Sequence, residues 1–294
     1  MVNQQLRDTV LAFTGPDVRS VLHGQSTRNF KTLTLNTPVD GAFCDLKGRV
    51  IADFSAIAVA DERILLRTDT GVASALIAHL SKYLMFSKTT VTALGWTCWG
   101  CSGDASTYRS DITISRGDQH FELWQEHDRP PEAAMSDVAW QRHRLMTGYA
   151  RICSTTMNLF LPQDLNYDLR SFIDFDKGCY TGQEIIARLH YRGQPKRRLT
   201  LVSTKSVNPP SVSDRIYDNE SEKNIGSVVE TTSTDNGQLS LCEAVVDVAT
   251  RSISTSRKSS RLRMIQPVQR SQKAKVQRLL NFLQPGTYIR PHCH

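Results

Sequence analysis

The stretch Lys177-Gly-Cys-Tyr-Thr-Gly-Gln-Glu184 carries the clearest chemical signal in the sequence. Thr181 followed three positions later by Glu184 has the spacing of a capping box, which predicts that a helix starts near Thr181. Cys179 would then lie just before a helix N-terminus, two residues from Lys177. Backbone N–H groups and a nearby cation both favour the thiolate form of a cysteine, so we expect a reactive sulfur here.

The rest of the first 250 residues predicts mixed α and β structure, because apolar runs alternate with segments of helical periodicity. Strands are predicted at 10–13, 42–45, 50–59, 63–67 and 91–98, and helices at 72–85, 131–147 and 181–189. Asp235-Asn-Gly237 is a strong turn signal that predicts a hairpin in a small β-barrel or sandwich. Residues 251–260 are rich in Ser and Arg and are predicted to form a flexible linker.

The octapeptide 177–184 resembles the signature of the YgfZ family, and further segments on both sides resemble that family as well. These segments are Thr14-Gly-Pro-Asp17, Gly24-Gln25, Thr27, Cys44-Asp-Leu-Lys-Gly48, Phe160-Leu-Pro-Gln163, Asn166, Arg188, Tyr191-Arg-Gly193, Lys196-Arg-Arg198 and Ile225-Gly-Ser-Val228. The resemblance covers about residues 5–250.

The YgfZ family is similar in fold to the glycine-cleavage T-protein, an aminomethyltransferase that uses tetrahydrofolate. The resemblance therefore implies an α+β fold of three modules around a central folate cavity. We expect an N-terminal α/β part at 1–100, a ferredoxin-like middle part at 101–198 that carries the octapeptide, and a small C-terminal β-barrel at 199–250. Residues 251–294 would follow as a basic linker and a truncated cupin-like tail.

The family is implicated in the maturation or repair of [4Fe–4S] enzymes, through which it affects tRNA methylthiolation indirectly. The resemblance implies a folate-binding accessory protein, with tetrahydrofolate or a derivative as cofactor. Its partners would be iron–sulfur client enzymes and their assembly machinery. Two alternatives stay open: a tetrahydrofolate-dependent aminomethyltransferase, and a folate-sensing scaffold without chemistry.

The resemblance also implies roles for particular residues. Cys179 would be the centre of the chemistry and Lys177 would tune its thiolate. Trp140 matches one of two tryptophans associated with folate in the family, and the other, which would fall near Asp8, is missing. An indole face can stack on a pterin, although Trp140 could equally be helix core. The further candidate folate contacts are Asp45, Gln183, Glu184, Arg188 and Arg192.

Three of these candidates have a structural alternative. Asp45 could cap its own turn instead of binding folate. Arg188 and Arg192, together with the basic run 196–198, could meet a folate glutamate tail or a partner, or they could be a solvated helix end.

Seven cysteines at irregular spacings do not resemble a disulfide framework and predict reduced thiols in the cytoplasm. Cys98-Trp-Gly-Cys101 could be redox-active or half of a metal site, but we interpret it as structural, and no metal site is predicted. Cys44 could assist Cys179, or it could pack in the core.

The net charge of +7 comes from the C-terminal segment 251–294, which contains ten Lys and Arg and no acid. Residues 1–250 carry a net charge of −3, which argues against direct nucleic-acid binding by this part. No apolar run reaches the roughly 18 residues of a membrane span, and no signal peptide is visible, so we expect a cytoplasmic protein. We also expect a monomer.

The last residues, Gly286-Thr-Tyr-Ile-Arg-Pro-His-Cys-His294, resemble the opening of a cupin metal motif. The sequence stops before the later ligands of such a motif would occur. Two histidines do not make a closed or catalytic site, so we expect a fusion remnant or truncation product here rather than a metal site.

Overall fold

Three antiparallel β-sheets organise the chain in a computed structural model that describes residues 5–108, 112–205, 210–245, 253–255 and 260–265. Each sheet belongs to a different part of the sequence, and the first two pack against each other. No helix in these described ranges is both long enough and apolar enough to cross a membrane.

The first sheet has five strands in the order β2-β3-β4-β1-β5. Its elements are β1 (Asp8–Thr14), α1 (Val18–Gln25), β2 (Val39–Cys44), β3 (Val50–Ala60), β4 (Arg63–Asp69), α2 (Thr70–Leu84) and β5 (Thr90–Leu94). Both faces of this sheet are covered. In β1, Leu11 and Phe13 pack with the helices, whereas Val10 and Ala12 pack with the second sheet. Burial on both faces explains why these strands are apolar runs instead of alternating patterns.

The second sheet has three strands in the order β6-β8-β7, namely β6 (Thr97–Ser102), β7 (Ile112–Gly117) and β8 (His120–Gln125). It is followed by α3 (Asp137–Met146). The helix predicted from residue 131 therefore starts six residues later than expected. The Ser136 side chain accepts a hydrogen bond from Ala139 N, and this N-cap sets the start.

A long connection then returns to the first sheet. It contains a short 3-10 helix (Tyr167–Arg170) and leads into α4 (Gln183–Arg192). Within this connection, Asp174 N donates to Thr27 O at 2.9 Å. The segment before the octapeptide is thus held along the end of α1, and this contact positions the site described below.

The third sheet is a closed barrel in the order β10-β11-β12-β9-β14-β13. Its strands are β9 (Arg197–Thr204), β10 (Arg215–Asp218), β11 (Asn224–Thr234), β12 (Gly237–Val245), β13 (Ile253–Thr255) and β14 (Ser260–Ile265). The predicted hairpin at Asp235-Asn-Gly237 is confirmed, since Thr234 pairs with Gly237 across the turn.

The barrel extends past the expected boundary at residue 250. Two of its strands, β13 and β14, lie in the segment that the composition suggested to be linker. Ile253 and Leu262 pack in the barrel core, and β14 pairs with β9 to close the ring. Closure removes the open edges of the sheet, which is a tertiary requirement that composition does not reveal. The cupin-like segment 286–294 lies outside the described residues.

Candidate functional site

The octapeptide is fixed to the C-terminal end of α1 by a buried lysine. Lys177 is 8% exposed, and its Nζ donates to the backbone carbonyls of His23 (2.5 Å), Ser26 (2.7 Å) and Arg28 (2.8 Å). Burial lowers the pKa of Lys177 to about 7, against the opposing effect of the Asp174 carboxylate. The hydrogen bonds of this ammonium group therefore connect two distant segments of the chain.

A second contact fixes the other end of the same turn. Thr181 N donates to Gly24 O at 3.2 Å, and Thr181 Oγ1 donates to Gln25 Oε1 at 2.7 Å. Cys179 lies between Lys177 and Thr181, and both of these neighbours are bonded to the end of α1. The exposed thiol of Cys179 is thus carried by a turn that is held on both sides.

We expect Lys177→Met to lower the free energy of unfolding by about 1–3 kcal/mol, because buried carbonyls would lose their donor. Urea unfolding measures this change through the midpoint. Lys31→Met is the matched control, since Lys31 is exposed on the adjacent loop, and we expect a change within about 0.5 kcal/mol. Equal losses in the two variants would contradict the role given to Lys177.

The Lys177→Met substitution is also expected to change how the free energy of unfolding depends on pH. An unfolded lysine keeps a pKa of about 10.4, whereas burial lowers that of Lys177 to about 7. Between these two values the unfolded chain binds more protons, so the wild-type protein gains stability as the pH rises from about 7 towards 10. This rise is expected to be absent in Lys177→Met.

The start of α4 differs from the predicted capping box. The helix begins at Gln183, and the N-cap position is Gly182 with φ +84° and no side-chain cap. The Thr181 hydroxyl is turned to Gln25 instead, and Gln183 Oε1 accepts from Tyr180 N at 3.3 Å. A tertiary hydrogen bond has therefore replaced the local cap, and the glycine supplies the left-handed backbone that this connection requires.

The β2–β3 turn packs directly on the octapeptide. A Cβ added to Gly182 would lie 2.5 Å from Asp45 O and 3.1 Å from the Cα of Gly48. The carboxylate of Asp45 caps its own turn, with Oδ1 accepting from Lys47 N (2.9 Å) and Arg49 N (2.8 Å). The turn-capping alternative for Asp45 is therefore the one that its described contacts support.

Cys179 differs from the other described cysteines in its exposure, and all of these cysteines are free thiols. Cys153 is partly exposed and the others are buried: Cys44, Cys98, Cys101 and Cys242. Burial raises the pKa of Cys101 to about 12, and it also raises the pKa of the Cys44 thiol. Of the thiols in the described ranges, that of Cys179 is the most accessible to a reagent or partner.

The Cys98-Trp-Gly-Cys101 pair lies on strand β6. Residues three apart on a strand point to opposite faces, and here Cys98 packs with Trp140 while Cys101 packs with Trp99. The two thiols therefore do not converge, which fits the structural interpretation. Within the described part of the chain there is no group of three metal-ligating side chains.

Trp140 is buried between α3 and the second sheet. It is 3% exposed, and a Cβ added to Gly100 would lie 2.1 Å from the indole atom Cδ2. The rings of His143 and His120 lie 5.5 and 6.4 Å from it. One face of the indole is thus covered by the β6 backbone, which favours the helix-core alternative over stacking on a pterin.

The basic residues near Cys179 divide into two groups. Arg188 and Arg192 are exposed on α4, as is the neighbouring Glu184. Arg197 instead pairs with Glu243 at 3.1 Å. Arg198 pairs with Asp168 at 2.6 Å. Only the α4 arginines among these four lack a described ion pair, so they are the ones that remain available for an anionic partner.

A charged cluster that sequence reasoning missed lies between the first and second sheets. Arg67 is 1% exposed and donates to both oxygens of Glu122 at 2.9 and 3.0 Å. Arg116 donates to Glu122 at 2.9 Å and to Asp40 at 2.9 and 3.0 Å. Ser55 accepts from both arginines. We call these residues, with Asp8 and Arg151, the junction cluster.

The junction cluster contains polar atoms whose hydrogen-bonding capacity is not filled. Arg151 donates to Asp8 Oδ1, whereas the other oxygen of Asp8 is buried without a hydrogen bond. Nε and Nη1 of Arg67 and Nε of Arg151 are also buried without a hydrogen bond, although Arg67 Nε forms a 3.8 Å ion pair with this Asp8 oxygen. The sequence signal that could have indicated this cluster is a charged residue that ends an apolar run, such as Arg67 in Ile64-Leu-Leu-Arg67.

Comparisons with known proteins agree with this fold. The chain is 28% identical over 240 residues to the tRNA-modifying protein YgfZ of Vibrio atlanticus, covering 74% of this chain and 73% of the relative. It is 26% identical over 262 residues to the protein of that name from Blochmanniella pennsylvanica, covering 76% and 79%. A solved structure of glycine cleavage system aminomethyltransferase T from Bartonella henselae aligns with a TM-score of 0.64 at 13% identity, covering 89% and 83%.

The fold is therefore that of the glycine-cleavage aminomethyltransferase T proteins, as the resemblance implied. Within that class, the curated relatives agree with the resemblance found in the octapeptide: the chain is similar to proteins named tRNA-modifying protein YgfZ over about 70% of its length. Residues 246–294 match a separate family described as a domain of unknown function (DUF6016).

Proposed function

We propose that this chain is a folate-binding accessory protein for the assembly or repair of [4Fe–4S] enzymes, and that it affects tRNA methylthiolation through those enzymes. The single observation that carries the proposal is the exposed Cys179 thiol on a turn held by Lys177 and Thr181. A thiol that is accessible to solvent and held in a fixed position is suited to react with a sulfur species, an iron–sulfur cluster or a protein substrate. The site of action would be the cytoplasm.

The indirect route to tRNA rests on charge. The relatives are named tRNA-modifying proteins, but residues 1–250 of this chain are net acidic. Sequence-independent RNA binding depends on contacts between basic side chains and phosphates. We therefore place the client enzymes, rather than tRNA, as the partners of this part of the chain, with the α4 arginines as candidate contacts.

Folate binding is a distinct part of the proposal. The residues predicted from the resemblance lie on different elements. Trp140 packs on the second sheet, whereas Gln183, Glu184, Arg188 and Arg192 belong to α4, whose N-terminus contacts the Asp45 turn. Arg67 Nε and Asp8 Oδ2 form an ion pair at 3.8 Å but make no hydrogen bond, and Arg67 Nη1 makes none either. Such groups suit a ligand that offers both acceptors and donors, as a pterin ring does. We propose that these residues would hold the ring.

Complementation tests the proposal. A bacterium that lacks its own YgfZ-family protein receives the wild-type chain, Cys179→Ser or Cys153→Ser, each checked for equal soluble expression. We expect wild type and Cys153→Ser to restore methylthio-modified tRNA nucleosides, measured by mass spectrometry, and Cys179→Ser to restore less than about a tenth of them. Cys153 is the matched control because its thiol is partly exposed and lies outside the octapeptide.

Each other outcome has a definite meaning. Equal rescue by Cys179→Ser would remove the role of the thiol and favour a folate-sensing scaffold. Failure of all three soluble chains would overturn the accessory function. Turnover of methylene-tetrahydrofolate with an aminomethylated carrier by the purified chain would favour the aminomethyltransferase, whose fold this chain shares.

A further inference from the structure

A histidine from α1 lies beside the turn that carries Cys179. His23 is 8% exposed, and its Nε2 would be 3.3 Å from a Cβ added to Gly178. Among the described residues, Nε2 has no hydrogen-bond partner, whereas Nδ1 has one in Asn29. The unfilled nitrogen of a largely buried ring is therefore the atom that faces the turn.

The hydrogen bonds of Asn29 fix the tautomer of this ring. Asn29 Oδ1 lies 3.0 Å from His23 Nδ1 and also accepts from Lys31 N at 3.2 Å. A backbone N–H can only donate, so the Asn29 atom in this position is the amide oxygen. His23 Nδ1 must then carry the proton, which leaves the lone pair on Nε2.

The chain on both sides of Cys179 keeps it close to this lone pair. Lys177 Nζ donates to the carbonyl of His23 itself, and Thr181 N donates to the next carbonyl, that of Gly24. Gly178, the direct neighbour of Cys179, is the residue that Nε2 faces. Consecutive Cα atoms are about 3.8 Å apart, so the backbone of Cys179 begins one residue from the position that Nε2 faces.

We propose that His23 accepts the proton of the Cys179 thiol through Nε2, with Asn29 as the positioning residue that holds the ring in this tautomer. The S–H bond breaks, its electron pair stays on sulfur, and the proton moves to the nitrogen lone pair, which gives a thiolate and an imidazolium. The inference deepens the proposed function, since it rests on Cys179 being the reactive group. It adds a residue from a distant part of the sequence to the octapeptide.

The electrostatic surroundings hold the ring in its neutral form, so the imidazolium depends on attraction to the thiolate. Burial, followed by the nearby charge of Lys177, lowers the pKa of His23, so the ring is neutral at pH 7 and can accept a proton. Lys31 acts in the same direction, whereas the hydrogen bond from Asn29 and the carboxylate of Asp174 oppose it. The resulting thiolate and imidazolium would attract each other, as in other paired cysteine–histidine sites.

The test is the rate at which iodoacetamide alkylates Cys179 in the full chain between pH 5 and 9, measured by peptide mass spectrometry. The thiolate displaces iodide, so the rate follows the thiolate fraction. We expect His23→Gln to slow the reaction about tenfold at pH 7 and to move its pH profile upwards. His190→Gln is the matched control, because this imidazole is exposed on α4 and we expect the wild-type profile.

Asn29→Asp gives a change of opposite sign. An aspartate keeps the acceptor for Nδ1–H and adds a negative charge, which makes the imidazole more basic and is expected to move the alkylation profile to lower pH. A purely structural contact would not reverse the direction of the shift. An unchanged profile in Asn29→Asp would remove the positioning role of Asn29.

An unchanged rate in His23→Gln, or an equal loss in His190→Gln, would overturn the proposal. These results are independent of the complementation experiment, which concerns the biological role of Cys179. Full complementation by Cys179→Ser would contradict the proposed role of the thiol, even if His23 were shown to set the reactivity of that thiol. Circular dichroism on each variant separates a chemical effect from unfolding.

Discussion

Replacing Glu122 with Gln is expected to lower the free energy of unfolding by about 3–5 kcal/mol, because it leaves buried guanidinium groups without their counter-charge. Glu122 is buried and bonded to Arg67 and Arg116. It also accepts from Trp124 Nε1 at 3.2 Å. A neutral amide of the same shape cannot accept at both positions, so a charge and several hydrogen bonds would be lost together.

Asp61→Asn is the control for this prediction. Asp61 also faces an arginine, with a 3.6 Å ion pair to Arg19, but its side chain is 88% exposed. Exposed pairs contribute about 0–1 kcal/mol, so we expect little change. Urea unfolding of both variants gives the comparison, and similar small losses would contradict the importance of the junction cluster.

Glu122 is also expected to make the stability of the protein depend on pH under acidic conditions. Burial opposes ionisation, but Arg116 and Arg67 prevail and hold the pKa of Glu122 well below its usual range. The stability that Glu122 contributes is therefore fully present above the ordinary glutamate pKa of about 4.3 and is lost as the pH falls below it. Glu122→Gln should lack this part of the acid dependence.

The junction cluster also shows what the sequence could not reveal. Arg67 and Glu122 belong to different sheets, and in the sequence each is a charge that directly adjoins apolar residues of its strand. Periodicity predicts that such a strand is buried, but it does not identify the partner of the charge. That partner is set by how the first two sheets pack, which is a tertiary property.

Local signals were reliable where local interactions decide the structure. The hairpin at Asp235-Asn-Gly237 formed as predicted, because the turn type depends on its own residues. The predicted N-cap of α4 was wrong, because here a tertiary interaction decides the structure. Thr181 is a good N-cap residue, but its hydroxyl bonds to Gln25 of α1, and the N-cap position falls to Gly182.

The candidate site divides in the same way. The octapeptide made Cys179 and its turn the candidate, since these residues are contiguous and resemble a family signature. The contacts that fix the turn come from His23, Gly24 and Gln25, which no spacing rule connects to it. Lys177 was predicted from its proximity in sequence to tune the thiolate. Its described hydrogen bonds go to backbone carbonyls, so its tuning role stays a prediction.

Gly182→Ala is expected to lower the free energy of unfolding by about 2–4 kcal/mol, since two costs add. The φ of +84° is unfavourable for any residue with a Cβ, at roughly 1 kcal/mol or more. The added Cβ would also lie 2.5 Å from Asp45 O, a backbone atom that cannot rotate away, so the β2–β3 turn must move. Displacement of this turn from α4 would loosen the segment that holds Cys179.

Gly24→Ala provides the matched control, because this glycine also lies next to the octapeptide. A Cβ there would meet nothing within 4 Å, and its position within α1 favours alanine by up to about 1 kcal/mol. The two substitutions should therefore change stability in opposite directions in the same urea experiment. Alkylation of Cys179 gives the second measurement, with the wild-type pH profile expected for Gly24→Ala and a weaker pH dependence for Gly182→Ala. A stable Gly182→Ala protein with the wild-type profile would show that the turn and α4 can separate without disturbing the thiol.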